Sequence, residues 1–475
     1  MNVLIITPVY PPNISIGGGV AVTYGALTTK LQARGHHVKV LSPRLDNLDN
    51  GKSILYKNFP VIFPTLQNLE TFVEDIEAAD VVVMPDDCML PFVAFICSWK
   101  NKPLLFNMHT NVKMVLDLSD ELILRWVAAP CVGAFFKVCS KLSSRTFTTS
   151  PSYQELLLKT GHHCDGVFSP RIKTAVFEQP DSDEEIAKAR LFLCNGHEDK
   201  ISWPVFIYAG RLSHEKRIKE VAYAKPKNCV LAIVGDGPQA KELFEELNKP
   251  EEGTFVLVGM QDQARLRVLY KASDFLVSAS KFETLGMTVL ESHLCGTPVA
   301  VQKAAGFITQ VTEGVNGFFV NYDDAEVARR QLEDAIRNKP SQVQVLESCK
   351  TRWDATLPEL DQIVIDMATE GRSPDFSWWM WPFMFVYVII YNLMSLPFNT
   401  LTTRIEKSNV PSFPERKQKP ISNNPTKKKA SKKLSALRRL HSSASQNQAA
   451  ASVEHPVVFL FSLCWLWVVM QPILG

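Results

Sequence analysis

Short runs of apolar, often β-branched residues alternate along the chain with longer segments of helical periodicity. Val3–Thr7 reads as a buried parallel strand. A helical pattern follows over Val20–Ala33, burying Val20, Tyr24, Leu27 and Leu31, and Gly35 ends it. His37–Leu41 is the next strand, so the chain opens as a βαβ unit. Further strands are predicted at Asp80–Met84, Leu104–Met108 and Thr146–Thr149. A largely apolar helical stretch covers 121–140, and Ser150-Pro151 opens another helix. The rhythm restarts with strands at Val205–Ala209, Cys229–Val234, Thr254–Val258, Phe275–Ser278 and Val299–Val301. A helix around Pro340–Glu370, containing Trp353, closes the series. Strands alternating with helices, twice over, predict an α/β fold of two Rossmann-like, doubly wound domains. The length, 475 residues, agrees: it exceeds what one ordinary core supports.

Past residue 376 the pattern changes. Ser377–Phe398 carries no charge and is rich in Trp, Phe and Tyr. It is long enough to span a bilayer, and its Trp cluster suits the headgroup interface. Pro382 and Pro397 equally allow a helix that dips into or lies on the surface. Residues 399–455 are polar and read as a disordered, basic linker. Between Arg404 and Arg439 stand twelve Lys/Arg against two Glu, a net +10, so a formal total of +2 leaves the rest at −8. Such a body does not suggest a general nucleic-acid binder. The basic cluster Lys427–Arg439 suits anionic lipid or simple solvation. A second apolar segment spans 457–475. Membrane association is therefore expected, with the topology of the two segments open. The ten cysteines form no Cys-x-x-Cys pair and no metal-spaced cluster, which fits a reducing compartment. The N-terminus has no basic region before its first strand, so no signal or transit peptide is expected.

Candidate chemistry gathers where predicted strands end. Gly17-Gly18-Gly19 stands between the first strand and its helix, either as a flexible loop or as a place where backbone approaches a phosphate. It is not a G-x-G-x-x-G, so the dinucleotide fingerprint is absent. His109 follows a strand, where open α/β sheets bind ligands or where a histidine caps a loop. Gly210-Arg211-Leu212-Ser213-His214-Glu215-Lys216 follows another. There Arg211 can fork two phosphate oxygens and Lys216 adds a compact charge, unless both are merely solvated. Gly235-Asp236-Gly237-Pro238 is a turn after the next strand. Glu283 and Glu291 stand eight residues apart around Thr284-Leu285-Gly286. The spacing puts Glu283 on a loop and Glu291 in a helix starting near Leu285, whose first N–H groups make an anion site.

The stretches "GRLSHEK", "VGDGP" and "FETLGMTVLESHLCGTPVA" resemble the signatures of retaining glycosyltransferases of family four, with its E-x7-E motif and GT-B fold. The resemblance covers roughly residues 1–365 and is strongest over 205–320. It implies an N-terminal acceptor-side domain over 1–170, a donor-nucleotide domain over 171–345, and a crossover helix over 346–370 returning to the first domain. It also implies roles. Glu283 lies beside the donor sugar, and Glu291 holds the ribose. Arg211 and Lys216 bind the diphosphate, and His109 contacts the sugar. Gly18, Gly19, Gly210, Gly235, Thr284, Leu285 and Gly286 complete the binding surface. On this reading His109, Arg211, Lys216 and Glu283 carry the chemistry.

The expected reaction is hexosyl transfer with retention from a UDP-sugar, as co-substrate, to a lipid acceptor, with no metal or other cofactor and no nucleic acid. The motifs look most like those of sulfolipid synthases, which move sulfoquinovose to diacylglycerol. Diacylglycerol glucosyltransferases and phospholipid mannosyltransferases share them. The segment at 169–174 departs from the family pattern. The alternatives are another glycolipid transferase or a non-catalytic, membrane-tethered sugar-nucleotide-binding protein. The catalytic domains would face the cytosol or plastid stroma.

Overall fold

A computed structural model describes residues 1–8, 10, 14–42, 52–56, 59–63, 69–87, 89–110, 126, 129–169, 174–247, 254–350, 354 and 356–375. The apolar segments 377–398 and 457–475, the basic linker, Trp353 and most of the departing segment at 169–174 lie outside these. Among the described residues no helix is long and apolar enough to cross a membrane.

The first domain is built on β1 (Asn2–Ile6), β2 (His37–Leu41), β5 (Val81–Pro85), β6 (Leu104–Met108), β7 (Arg145–Thr148) and β8 (Gly166–Val167). All are parallel, in the order β2-β1-β5-β6-β7-β8. Strand β1 shows why its sequence is apolar throughout. Val3 and Ile5 enter the core on one face, Leu4 and Ile6 the core on the other. A parallel strand covered on both faces has no polar side to display. An antiparallel hairpin, β3 (Lys52–Tyr56) and β4 (Phe59–Phe63), interrupts the series; the apolar pattern had not marked it.

The second domain repeats the plan with β9 (Val205–Ala209), β10 (Val230–Val234), β11 (Phe255–Gly259), β12 (Phe275–Ser278), β13 (Val299–Val301) and β14 (Gly317–Phe319). The sheet is parallel, in the order β11-β10-β9-β12-β13-β14. Two apolar cores cover its faces. The strand order reverses between β1 and β5 and again between β9 and β12. Crevices beyond the carboxyl ends of strands at such points bind ligands.

Three sequence expectations shift. The first helix, α1, runs Ile14–Ala33 instead of starting at Val20, so Gly17, Gly18 and Gly19 lie inside it and form no loop. Glycine costs a helix interior about 1 kcal/mol each, and tertiary packing overrides so weak a preference. The stretch over 121–140 yields a helix at Ala129–Leu142, its earlier part falling largely outside the described residues. The single closing helix becomes two, Gln342–Lys350 and Leu360–Glu370. Pro358 rules out one continuous helix, because it drives the residue before it out of the helical region. The last helix packs Leu360, Ile363, Val364 and Met367 against Val3, Ile5, Val81 and Val83 of the first domain. Lys30–Glu359 at 2.5 Å and Arg34–Asp361 at 3.1 Å flank that contact. Ser169 donates to Asp354 at 2.6 Å, where the two interdomain connections cross.

Candidate active site

The second domain supplies the charged wall. Beyond β9 the chain turns at Gly210 (φ +149), and beyond β10 at Gly235 (φ +143). The two turns are laced together: Gly210 N–H donates to Val234 O, Leu212 N–H to Asp236 O and Gln239 N–H to Leu212 O. A Cβ on Gly235 would lie 1.8 Å from the Gly210 carbonyl oxygen, and one on Gly237 would lie 2.4 Å from that of Leu212. The glycines of "VGDGP" are thus required by close backbone approach.

This lacing fixes the loop that carries Arg211 and Lys216. Lys216 ends a short 3-10 turn, His214–Lys216, and Arg217 follows in the left-handed region at φ 54, ψ 47. Arg217 is pinned there by Glu220 at 3.0 Å and Asp323 at 2.9 Å. Lys216 Nζ meets Glu283 Oε1 at 2.5 Å, with a quarter of the lysine side chain still exposed. Burial pulls the ammonium's pKa down, while the Glu283 carboxylate beside it pushes it up and prevails; Arg211 is near enough to oppose the rise.

The Glu283–Gly286 loop is braced from behind. Gly306 N–H donates to Glu283 O at 2.7 Å. Gln310 Nε2 donates to the carbonyls of Leu285 and Gly286. A Cβ on Gly306 would meet the Leu285 backbone at 2.5 Å. Gly286, at φ 80, precedes the helix Met287–Leu294 with no side-chain cap, so the first N–H groups of that helix remain for a ligand. The helix begins two residues later than the spacing suggests. Glu291 lies inside it, 7% exposed, and accepts from the Tyr270 hydroxyl at 3.2 Å. Burial pushes its carboxyl up to about 7, with the Tyr270 bond pulling the other way. Among the described residues the two glutamates share no hydrogen bond: Glu283 pairs with Lys216, and Glu291 with Tyr270.

The first domain supplies a neutral wall. His109 stands at the carboxyl end of β6, 8% exposed, and its Nε2 lies 3.2 Å from the Tyr24 hydroxyl. Burial lowers its pKa to about 4, so the ring is neutral near pH 7. The backbone N–H groups of His109 and Thr110 both donate to Asp86 Oδ2, at 2.9 and 2.5 Å. Burial pushes Asp86 up to about 8, against the pull of those two N–H groups.

The walls meet. Thr284 Oγ1 donates to the His109 carbonyl at 2.5 Å, and Ser150 Oγ donates to the Thr284 carbonyl at 2.5 Å. Ser152 and Thr309 hydroxyls lie 2.7 Å apart. Gly19 faces the same seam, its notional Cβ 3.6 Å from Met287 Cγ. The structure therefore brings His109, Thr284, Glu283, Lys216 and the Gly210 and Gly235 turns to one cleft. Arg217, Gln310, Asn107 and Asp86 escaped the sequence reading, which gave Tyr24 and Ser150 structural roles only. A left-handed arginine and hydrogen bonds between distant segments leave no local pattern. Among the described residues no cluster of His, Cys, Asp and Glu is arranged to hold a metal ion. A shallow pocket at the opposite end of β12 is lined by Arg190, Lys271 and Lys339, but these already pair with Asp274 and Asp181.

Residues 198–352 match the model of the family described as glycosyl transferases group 1. An alpha-monoglucosyldiacylglycerol synthase of Streptococcus pneumoniae is 35% identical over 138 residues, 27% of this chain and 30% of that protein. The sulfoquinovosyl transferase of Arabidopsis thaliana is 25% identical over 245 residues, 50% of this chain and 46% of that one. Both matches thus span less than half of the relative. An alpha-monoglucosyldiacylglycerol synthase of Acholeplasma laidlawii is 22% identical over 363 residues, 72% of this chain and 89% of the other. Among solved structures, sucrose-phosphate synthase from Thermosynechococcus elongatus superposes with a TM-score of 0.58 at 18% identity, covering 78% of this chain and 98% of that one. Anabaena HepE in complex with UDP gives 0.53 at 19%, with the same coverage. At such identities the likeness shows the fold alone, which is GT-B.

Proposed function

From the glycosyltransferase group 1 domain that this chain carries in its GT-B fold, we propose that the protein transfers a sugar from a UDP-sugar to a lipid acceptor, with retention and without a metal. The observation that carries the reading is the charged wall. Arg211, Lys216 and an uncapped helix N-terminus gather at the carboxyl ends of β9 and β12, and Glu283 is held beside Lys216. Cations and backbone N–H groups suit a diphosphate, and carboxylates suit sugar hydroxyls. In the reaction the bond from the anomeric carbon to the diphosphate oxygen breaks, and a bond to the acceptor hydroxyl oxygen forms. The hydroxyl proton leaves with the diphosphate. Arg211 and Lys216 stabilise charge as it develops on the leaving group. The Lys216–Glu283 pair keeps the ammonium placed before the diphosphate arrives.

Sulfoquinovose transfer to diacylglycerol is the preferred specific reaction, supported by the Arabidopsis relative. The relatives named alpha-monoglucosyldiacylglycerol synthase favour a second reading, glucosyl transfer to diacylglycerol. The catalytic domains would face the cytosol or plastid stroma, and the segments beyond residue 376 would hold them at the membrane. The test is UDP release from a panel of UDP-sugars, with and without detergent-dispersed diacylglycerol. Diacylglycerol-dependent turnover with UDP-sulfoquinovose alone supports the preferred reading, and turnover with UDP-glucose the second. UDP binding without turnover of any donor points to a non-catalytic sugar-nucleotide-binding protein.

A further inference from the structure

His109 is ringed by groups that settle where its proton sits. Its Nε2 faces the Tyr24 hydroxyl at 3.2 Å, and the same hydroxyl receives Asn107 Nδ2 at 3.1 Å. An amide nitrogen only donates, so Tyr24 Oη accepts from Asn107 and its own proton is left to point at Nε2. The opposite orientation of the Asn107 amide would leave its NH2 unpaired in a fully buried site. The present one leaves only Asn107 Oδ1 without a partner, and a lone carbonyl oxygen is the cheaper orphan. The ring cannot turn to escape this bond. Tyr24 and Phe168 hold it edge-on, with centroids 5.6 and 5.7 Å away, and all three residues are buried. Nδ1 has no hydrogen-bond partner among the described residues and is not one of the fully buried unpartnered atoms.

We infer that Tyr24 and Asn107 are positioning residues: they hold His109 in the tautomer with its proton on Nδ1, so that the ring offers the ligand a hydrogen-bond donor and not a base. The ligand atom would be an oxygen of the donor, a sugar hydroxyl or a phosphoryl oxygen. This step rests on the proposed reading of the cleft as a sugar-nucleotide site. The tautomer itself can be read without any substrate. Burial of the ring, which keeps it neutral near pH 7, is consistent with it. So is the assignment of the charged work to the other wall.

The experiment is nitrogen NMR on the full chain labelled with 15N-histidine, the His109 signals being assigned by difference from His109→Gln. The expected spectrum shows a protonated Nδ1 and a bare Nε2. Asn107→Asp is close to isosteric but turns the donor into an acceptor, so Tyr24 should then donate to Asp and His109 should switch its proton to Nε2. Tyr24→Phe should leave a mixture of tautomers. In turnover, both variants should lower kcat about tenfold while KM for the UDP-sugar stays within about twofold, the size of one lost buried hydrogen bond. A parent ring protonated at Nε2, or variants that leave tautomer and kcat unchanged, overturns the inference. If no UDP-sugar is turned over, the function proposal fails by itself, and the tautomer shift in Asn107→Asp still decides the geometry.

Discussion

In both domains glycines follow the opening strands, and the two sets do different work. In the second domain, Gly210 and Gly235 have φ of +149 and +143, and their turns touch backbone to backbone. In the first, Gly17–Gly19 are absorbed into the helix α1, and a Cβ on Gly19 would find ordinary contact distance. The walls differ likewise. The second domain presents Arg211, Lys216 and Glu283; the first presents a neutral His109 held by Tyr24 and the Asp86 carboxyl. The two six-stranded parallel sheets thus differ at their carboxyl edges. One holds charged side chains on backbone turns that touch each other. The other holds a neutral ring in a buried hydrogen-bond network. The comparison implies that substitutions in the second domain's edge cost most.

The largest effect should come from Lys216→Ala. It removes the cation that the proposed reaction puts at the diphosphate and leaves Glu283 without its 2.5 Å partner. Loss of one preorganised electrostatic contact costs about 10²–10³ in kcat. Steady-state kinetics with the productive UDP-sugar checks this. A fall of less than about tenfold would say that the charged wall is not where leaving-group charge develops, and the contrast between the walls would collapse.

Next is Gly235→Ala. The new methyl would stand 1.8 Å from the Gly210 carbonyl oxygen at a backbone angle L-residues rarely adopt. Strain of this kind costs about 3 kcal/mol or more. Thermal unfolding should show the second domain destabilised, and the loop carrying Arg211 should lose its register with it.

What could be read from the sequence follows from this contrast. Strands buried on both faces announce themselves as continuous apolar runs, as β1 and β10 do, whatever lies around them. The short edge strands β8 and β14, of two and three residues, have too few side chains to form a pattern. Tyr24 falls on the apolar stripe of α1 and reads as core, which it is. Its hydroxyl is committed to His109, 85 positions away, and periodicity carries no information about that bond. The Lys216–Glu283 contact spans 67 positions, and its lysine is aimed by the left-handed Arg217 that no propensity predicts. Residue types at strand ends can be read locally. The pairing between them is a property of the assembled edge.

A third prediction sharpens the electrostatic side of the comparison. Glu291 has a folded-state pKa of about 7 against an ordinary 4.5, chiefly because burial disfavours its charge. The folded protein therefore keeps a proton there that the unfolded chain releases between those values. Its stabilising effect is complete below pH 4.5 and is lost as pH rises through 7. Glu291→Gln abolishes this dependence. Relative to the parent, the variant should gain about 2.5 kcal/mol between pH 5 and pH 8, from the size of the shift. Denaturant unfolding at the two pH values measures it. A parallel response of both proteins would mean that the buried carboxylate is compensated by something other than Tyr270.

The smallest effect belongs to Gly19→Ala. The residue is helical, its notional Cβ lies 3.6 Å from Met287 Cγ, and nothing nearer obstructs it. Alanine is the better helix former by about 0.5–1 kcal/mol, so the variant should be slightly more stable than the parent. If α1 merely lines the seam, kcat and KM should stay within about twofold, since ordinary contact with Met287 costs nothing. The outcome that breaks the comparison is a more stable protein with sharply weaker UDP-sugar binding. That would show a ligand approaching the α1 backbone closely enough to need a missing Cβ. Glycine would then serve both walls, by backbone conformation in the second domain and by bare surface in the first.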